Sequence, residues 1–191
     1  MESNRLYWLD IAKGITILFM VLGHTSIPSI LSNFIWAFHM PLFFIASGWT
    51  TNWQKTDFKG FTKRKFRTLL VPFFVYSLVV LMIEIPQGWD DFIHWIYNGW
   101  GAYALWFIPV LFLASLFAKV IYSIKNRYLT LVCAFMFATI SGVLSFYKIQ
   151  LPWSMSSVPF ATFLIVVGTE LKQFNTTIAD SKLWHILFLF F

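Results

Sequence analysis

Six apolar stretches, separated by short polar turns, constrain this chain more than any other feature of its sequence. They cover residues 9–24, 34–50, 68–85, 104–122, 129–146 and 158–171. A helix of about 20 apolar residues crosses the hydrocarbon core of a bilayer, where the backbone must satisfy its own hydrogen bonds. Hydrophobic residues make up 59% of the chain and charged residues 12%. The sequence therefore predicts an all-α membrane protein with six complete transmembrane helices.

The two segments outside these stretches complete the predicted layout. Residues 87–103 contain three Trp and two Asp, a composition typical of a membrane interface rather than a span. Residues 183–191 are apolar but too short to cross a bilayer, and we interpret them as the start of a seventh helix. We expect residues 1–191 to form a single transmembrane domain that is truncated at its C-terminus.

The placement of Lys and Arg predicts the orientation of the spans. If the N-terminus is cytoplasmic, thirteen of the fourteen cations fall on the inner side and only Lys148 falls on the outer side. Cytoplasmic loops carry such an excess of positive charge. We therefore predict a multi-pass protein of the cell membrane with a cytoplasmic N-terminus.

Charge and cysteine content exclude several other classes of protein. A net charge of +6 with a mean hydropathy of +0.71 is typical of basic cytoplasmic loops, so we expect no nucleic-acid partner. The single cysteine, Cys133, excludes an internal disulfide. The four histidines have no metal-ligand spacing, and we expect no metal site.

The first span carries a cation and a base on one face. His24 lies eleven positions after Lys13, which is about 20° beyond three full helical turns and about 16 Å along the axis. Imidazole titrates near neutral pH and can serve as a general base. The alignment of Lys13 and His24 on one face therefore favours a path for a charged reagent along this helix. His24 is equally explained as the residue that marks the end of the helix.

Two further polar groups share the predicted depth of His24. His39 stands two positions before Pro41, which disturbs a helix, so His39 is either a catalytic group or a support for a kink. Glu84 ends the third span, where it could orient a histidine, bind a substrate hydroxyl or face water. We count His24, His39 and Glu84 as candidate catalytic residues.

The remaining candidates are predicted to bind substrates. Arg64 and Arg67 are three positions apart in a basic run and would share a helical face if the third span begins early. Arginine binds phosphate bidentately, so with Lys13 they could hold a phosphate-bearing donor, although a topology signal explains the run as well. Trp106 at the start of the fourth span and Ser47 in the second are candidate pocket residues.

Four of these segments resemble motifs of the acyltransferase 3 family of integral membrane O-acyltransferases. The segments are Lys13 followed by ten residues and His24, the aromatic Ser-Gly segment 38–48, the basic run 64–67 before Pro72, and residues 104–109. The closest likeness is to the branch that includes fucose O-acetyltransferases. Lys13 stands where many members of the family carry Arg.

The resemblance implies a bundle of about ten helices, of which this chain is the N-terminal part. It implies acetyl transfer from cytoplasmic acetyl-CoA, or another acyl-CoA, to a hydroxyl of a cell-surface or lipid-linked sugar. Lys13, Arg64 and Arg67 would meet the donor phosphates, and His24 would be the general base, by direct transfer or through an acyl-histidine. Acyl-CoA would be a co-substrate, with no bound cofactor.

Two other functions remain open at this stage. A carrier or exporter of a sugar or anion would also use intramembrane His, Glu and Lys. A membrane interaction module without catalysis is the third alternative.

Overall fold

The computed structural model describes residues 7–83, 88–97 and 105–180 of the chain, and every regular element in these ranges is a helix. The helices are α1 (Tyr7–Gly23), α2 (Ser29–Thr50), α3 (Phe58–Lys65), α4 (Val71–Ile83), α5 (Trp89–Tyr97), α6 (Phe107–Ser123), α7 (Arg127–Phe146) and α8 (Val158–Asp180). A π-helical turn, Phe66–Leu70, joins α3 to α4, and a short 3-10 helix, Pro152–Ser157, precedes α8.

Four helical segments are long and apolar enough to cross a membrane. They are Ser29–Thr50, Phe58–Ile83, Arg127–Phe146 and Pro152–Phe174, which correspond to the second, third, fifth and sixth predicted spans. The first and fourth predicted spans form α1 and α6, each of 17 residues. Because a crossing helix needs about 20 residues, the length of these two helices does not confirm the count of six spans.

The predicted boundaries were wrong where polar residues extend a helix. Helix α2 begins at Ser29, five positions before the expected start, directly after Pro28. The third span begins early, because the basic segment before it forms α3, whose N-terminus the Asp57 side chain caps by accepting a hydrogen bond from the Gly60 amide at 3.2 Å. Within the expected interfacial segment, the described residues 89–97 form α5, which buries none of its side chains.

The described residues belong to two compact units, Met1–Thr51 with Leu164–Phe191 and Asn52–Phe163. In the first unit, α1 packs against α2, with the rings of Phe19 and Phe38 edge to face at 5.3 Å. Aromatic contacts of this kind stabilise helix packing beyond the area that they bury.

Two glycines bring the backbones of α2 and α8 into direct contact within the first unit. A Cβ atom at Gly48 would overlap the carbonyl oxygen of Ile165, and one at Gly168 would overlap the carbonyl oxygen of Ile45. The hydroxyl of Thr169 donates to the carbonyl of Gly48 at 3.1 Å. Small residues allow such close approach in membrane helices, where dispersion and interhelical hydrogen bonds supply the attraction.

The second unit is arranged around α6. This helix packs against α3, the π-helical turn and the 3-10 helix. The side chain of Lys119, which belongs to α6, donates to the carbonyls of Trp53 and Thr56. The Lys119 ammonium nitrogen also lies 5.7 Å from the centre of the buried Phe61 ring. Trp53 stacks on Tyr122 of α6 at 5.2 Å. Together these contacts hold the connection between α2 and α3 against α6.

We expect Gly48→Ala and Gly168→Ala each to destabilise the protein, because the new methyl group meets rigid backbone rather than a movable side chain. Overpacking of this kind lowers the free energy of unfolding by about 1–3 kcal/mol. Thermal unfolding in detergent measures the effect. Gly142→Ala is the matched control, since nothing lies within 4 Å of its added Cβ, and an equal change in all three variants would contradict the close contact.

We expect Lys119→Met to loosen the connection between α2 and α3, because two carbonyl oxygens lose a charged donor. A hydrogen bond to a charged group contributes about 1.5–3 kcal/mol. Trypsin should then cleave faster at Lys55 and Lys59 in the detergent-solubilised protein. Lys125→Met, at an exposed position after α6, is the control, and unchanged cleavage in the Lys119 variant would argue against the clamp.

Candidate functional site

Trp36 brings the two candidate histidines of the first unit together. The rings of His24 and Trp36 are 5.1 Å apart and nearly perpendicular, and those of Trp36 and His39 are 5.0 Å apart at 75°. The indole is 39% exposed and thus reaches the surface of the described structure. One aromatic side chain therefore contacts both imidazoles edge to face.

His39 is buried and held in one orientation. Its side chain is 1% exposed, and its Nδ1 lies 2.6 Å from the carbonyl oxygen of Ile35, one helical turn earlier in α2. A carbonyl oxygen only accepts hydrogen bonds, so Nδ1 is the donor. Helix α2 continues as one helix through Pro41, and the carbonyl that Pro41 leaves without its helical donor is that of Ala37 rather than Ile35, so the support for a kink stays a prediction. The other ring nitrogen, Nε2, is buried and has no hydrogen-bond partner among the described residues.

His24 lies in a different environment from His39. It follows the last residue of α1, where its amide donates to the carbonyl of Val21 at 3.1 Å, and its side chain is exposed. Gly23 makes the contact with α2 possible, since a Cβ there would lie 3.3 Å from Ile35 and 3.6 Å from Trp36. The prediction that His24 ends the first helix is thus confirmed to within one residue.

Ser47 contributes its backbone to the contacts of this unit. Its carbonyl accepts from the hydroxyl of Thr51 at 2.7 Å and from that of Thr50 at 3.2 Å, and its side chain is half-buried. These bonds close the end of α2 next to Gly48. Its predicted role in a substrate pocket stays a prediction.

The two arginines of the second unit have different neighbours. The guanidinium of Arg64 lies 5.7 Å from the centre of the Phe61 ring, beside the ammonium of Lys65 at the same distance. Arg67 instead lines an open groove of about 650 Å³ with Lys59 and Lys63. The segment therefore presents cations to two surfaces rather than one.

Three candidate residues have little or no described surroundings. The backbone of Lys13 lies in α1, but its side chain is outside the described part of the chain, as is all of Glu84. Trp106 is half-buried at the N-cap of α6. Their predicted roles stay predictions.

The sequence did not reveal Trp36 or a serine-lined cavity near the start of α8. This cavity has a volume of about 430 Å³ and a mixed polar and apolar lining, which consists of Ser141, Leu144, Ser145, Lys148, Ile149, Gln150, Ser156, Ser157 and Phe160. The spacing of Ser141 and Ser145, one turn apart in α7, was the available signal. Among the described residues, no group of three or more His, Cys, Asp or Glu side chains could hold a metal ion.

Comparison with known proteins gives one match. A family model described as an acyltransferase domain, that of acyltransferase 3, matches residues 6–191. No curated protein and no solved structure matches the chain.

Proposed function

The chain belongs to the acyltransferase 3 family, and from this premise we propose that it transfers acetyl from cytoplasmic acetyl-CoA to a hydroxyl group of a cell-surface or lipid-linked sugar. Family membership and the four apolar spans make it a multi-pass membrane acyltransferase. The donor, the acceptor and the catalytic groups are our proposal. We further propose the fucose O-acetyltransferase-like branch, which the sequence as a whole most resembles.

The observation that carries the proposal is that the rings of His24 and His39 both contact the indole of Trp36. Transfer to a hydroxyl requires a base that removes the proton as the oxygen attacks the thioester. The sequence predicts His24 for this role, because it stands at the end of α1 predicted to face the acceptor. We propose Glu84, which lies outside the described residues, as a group that orients the base.

Cations on α1, α3 and the π-helical turn support a phosphate-bearing donor. We propose that Lys13, Arg64 and Arg67 bind the phosphates of acetyl-CoA on the cytoplasmic side. Within the described residues neither arginine makes an ion pair, so each guanidinium is free to bind phosphate in the bidentate manner. The groove at Arg67 supplies two further cations, Lys59 and Lys63.

The serine-lined cavity before α8 supports a sugar acceptor. Four serines, a glutamine and a lysine line it, and Leu144, Ile149 and Phe160 supply an apolar surface. Saccharides present hydroxyl groups with a hydrogen-bond donor and two acceptor sites each, which such side chains can match. We propose that this cavity and the predicted pocket residues Trp106 and Ser47 contact acceptor or donor chains.

The membrane topology that we propose follows from the distribution of Lys and Arg along the sequence. We propose six complete spans, including α1 and α6, and a cytoplasmic N-terminus within a bundle of about ten helices. A locally thinned bilayer accommodates a helix of 17 residues at modest cost.

Mass spectrometry of surface glycans, with and without the gene, tests the proposed function. We expect a set of glycan ions in the parent cells that exceeds the ions of the deletion strain by the mass of one acetyl group. Restoring the gene should restore these ions. Identical spectra in the two strains would contradict acetyl transfer and favour a carrier.

A second test concerns the first cation. We expect Lys13→Ala to raise the apparent KM for acetyl-CoA several-fold, because a phosphate contact is lost. Lys13→Arg should raise KM less, because the guanidinium keeps the positive charge and offers planar hydrogen-bond donors to phosphate. The measurement is acetyl transfer in membrane vesicles over a range of acetyl-CoA concentrations. Equal KM values for the two variants would argue against a phosphate contact at Lys13.

A further inference from the structure

We infer that the serine-lined cavity before α8 binds a sugar that carries a carboxylate, and that Lys148 recognises this negative charge. The inference rests on the proposed function and narrows the class of its acceptor to an acidic sugar. Three observations carry it: the lining of the cavity, the polar groups there that have no partner among the described residues, and the backbone conformation of Lys148.

The cavity matches a small saccharide in size and in chemistry. Its volume of about 430 Å³ falls in the range of small-molecule sites, which is about 300–1,000 Å³. Each of its four serine hydroxyls can both donate and accept a hydrogen bond, as sugar hydroxyls do. Phe160 offers an apolar ring to the C–H face of a sugar, and this ring stacks on that of Phe163 at 6.4 Å.

The polar groups of the lining are available to a ligand. Among the described residues, neither the four serine hydroxyls nor the Gln150 amide group has a hydrogen-bond partner. Other hydroxyls on the same two helices bond to their own backbone. Thr139 donates to the carbonyl of Met136 at 2.8 Å, and Thr162 donates to that of Val158 at 2.8 Å. The serines of the cavity therefore keep their hydrogen-bonding capacity for a bound molecule.

Lys148 gives the cavity a single positive charge. None of the lining residues is Asp or Glu, and the Lys148 ammonium makes no ion pair within the described part of the chain. One ammonium among neutral hydroxyls balances one negative charge, which is the charge of a carboxylate. A phosphate monoester carries a negative charge of about 1.5–2 at neutral pH. The lining therefore favours a sugar with a carboxylate over a sugar phosphate.

Lys148 stands at a backbone position that glycine usually occupies. Helix α7 ends in a Schellman motif, in which the Ile149 amide donates to the Leu144 carbonyl at 2.9 Å and the Lys148 amide to the Ser145 carbonyl at 3.1 Å. The left-handed residue of this motif is Lys148, with a φ of 53°. A Cβ atom is unfavourable in this conformation, and glycine avoids it. The turn itself thus gives no reason for a lysine, whereas the cavity that this side chain lines does.

A cation at the end of a helix also interacts favourably with the helix dipole, and Lys125 separates this effect from binding. Lys125 follows α6 in the same left-handed conformation, with a φ of 55°, but it does not line the cavity. It also falls on the predicted inner side, whereas Lys148 is the only cation on the predicted outer side. Glycine at either position removes a cation from a helix end, but only at position 148 does it remove the charge of the cavity.

Two sugar probes test the inference on the full-length protein in nanodiscs of phosphatidylcholine. Methyl β-glucuronide and methyl β-glucoside differ only in whether C6 is a carboxylate or a hydroxymethyl group. We expect the unaltered protein to bind the glucuronide about three- to tenfold more tightly in ligand-observed NMR titrations. Lys148→Gly should bind the two probes equally and unfold at the same or a higher temperature, because glycine suits the turn. Lys148→Arg should keep the preference.

Lys125→Gly is the matched control and should keep the preference for the glucuronide. The inference is overturned if the unaltered protein binds both probes equally, or if the preference survives in Lys148→Gly. Tighter binding of glucose 1-phosphate than of the glucuronide would overturn the assignment of a carboxylate.

Acetyl transfer, measured on the same protein preparations, separates this inference from the proposed function. If the protein acetylates a glycan but shows no preference that depends on Lys148, the inference fails and the proposed function stands. If it binds the glucuronide through Lys148 but transfers no acetyl group to any glycan, the proposed function fails and the cavity remains a site for acidic sugars.

Discussion

The backbone contact between α2 and α8, where Gly48 lies against the Ile165 carbonyl and Gly168 against the Ile45 carbonyl, is the constraint on which the first unit depends. In lipid, burial of apolar side chains provides little driving force for the association of helices. Close packing and interhelical hydrogen bonds therefore hold them together. Here two carbonyl groups occupy the space that side chains would need, and Thr169 adds a hydrogen bond across the same contact. Because α2 is anchored at this end, the turns that carry Trp36 and His39 have a fixed scaffold.

In the second unit, contacts of a charged side chain hold neighbouring segments together. The ammonium of Lys119 bonds two carbonyl groups of the segment before α3 and lies against the Phe61 ring. Arg64 and Lys65 approach the same ring. Cation–π contacts contribute most where water is excluded. The buried ring thus serves as a common support for three cations, and it fixes the direction in which α3 presents its basic side chains.

The sequence predicted the helical class and most helices, because long apolar runs allow few alternatives. It also selected His24 and His39, which the structure places on one indole. It did not reveal that Trp36 contacts both histidines, that α8 covers Gly48, or that Nε2 of His39 has no hydrogen-bond partner among the described residues. Periodicity shows which face of a helix is apolar but not which helix covers it, and hydrogen-bond partners depend on that packing.

The π-helical turn Phe66–Leu70 has a consequence for comparing this chain with others. A π turn holds one more residue than an α turn, so it shifts the phase between the helices on either side. The basic face of α3 and the apolar face of α4 are therefore offset by the extra residue of the π turn. Helical-wheel comparisons that run unbroken from Phe58 to Ile83 pair the wrong faces, and the count has to restart after Leu70.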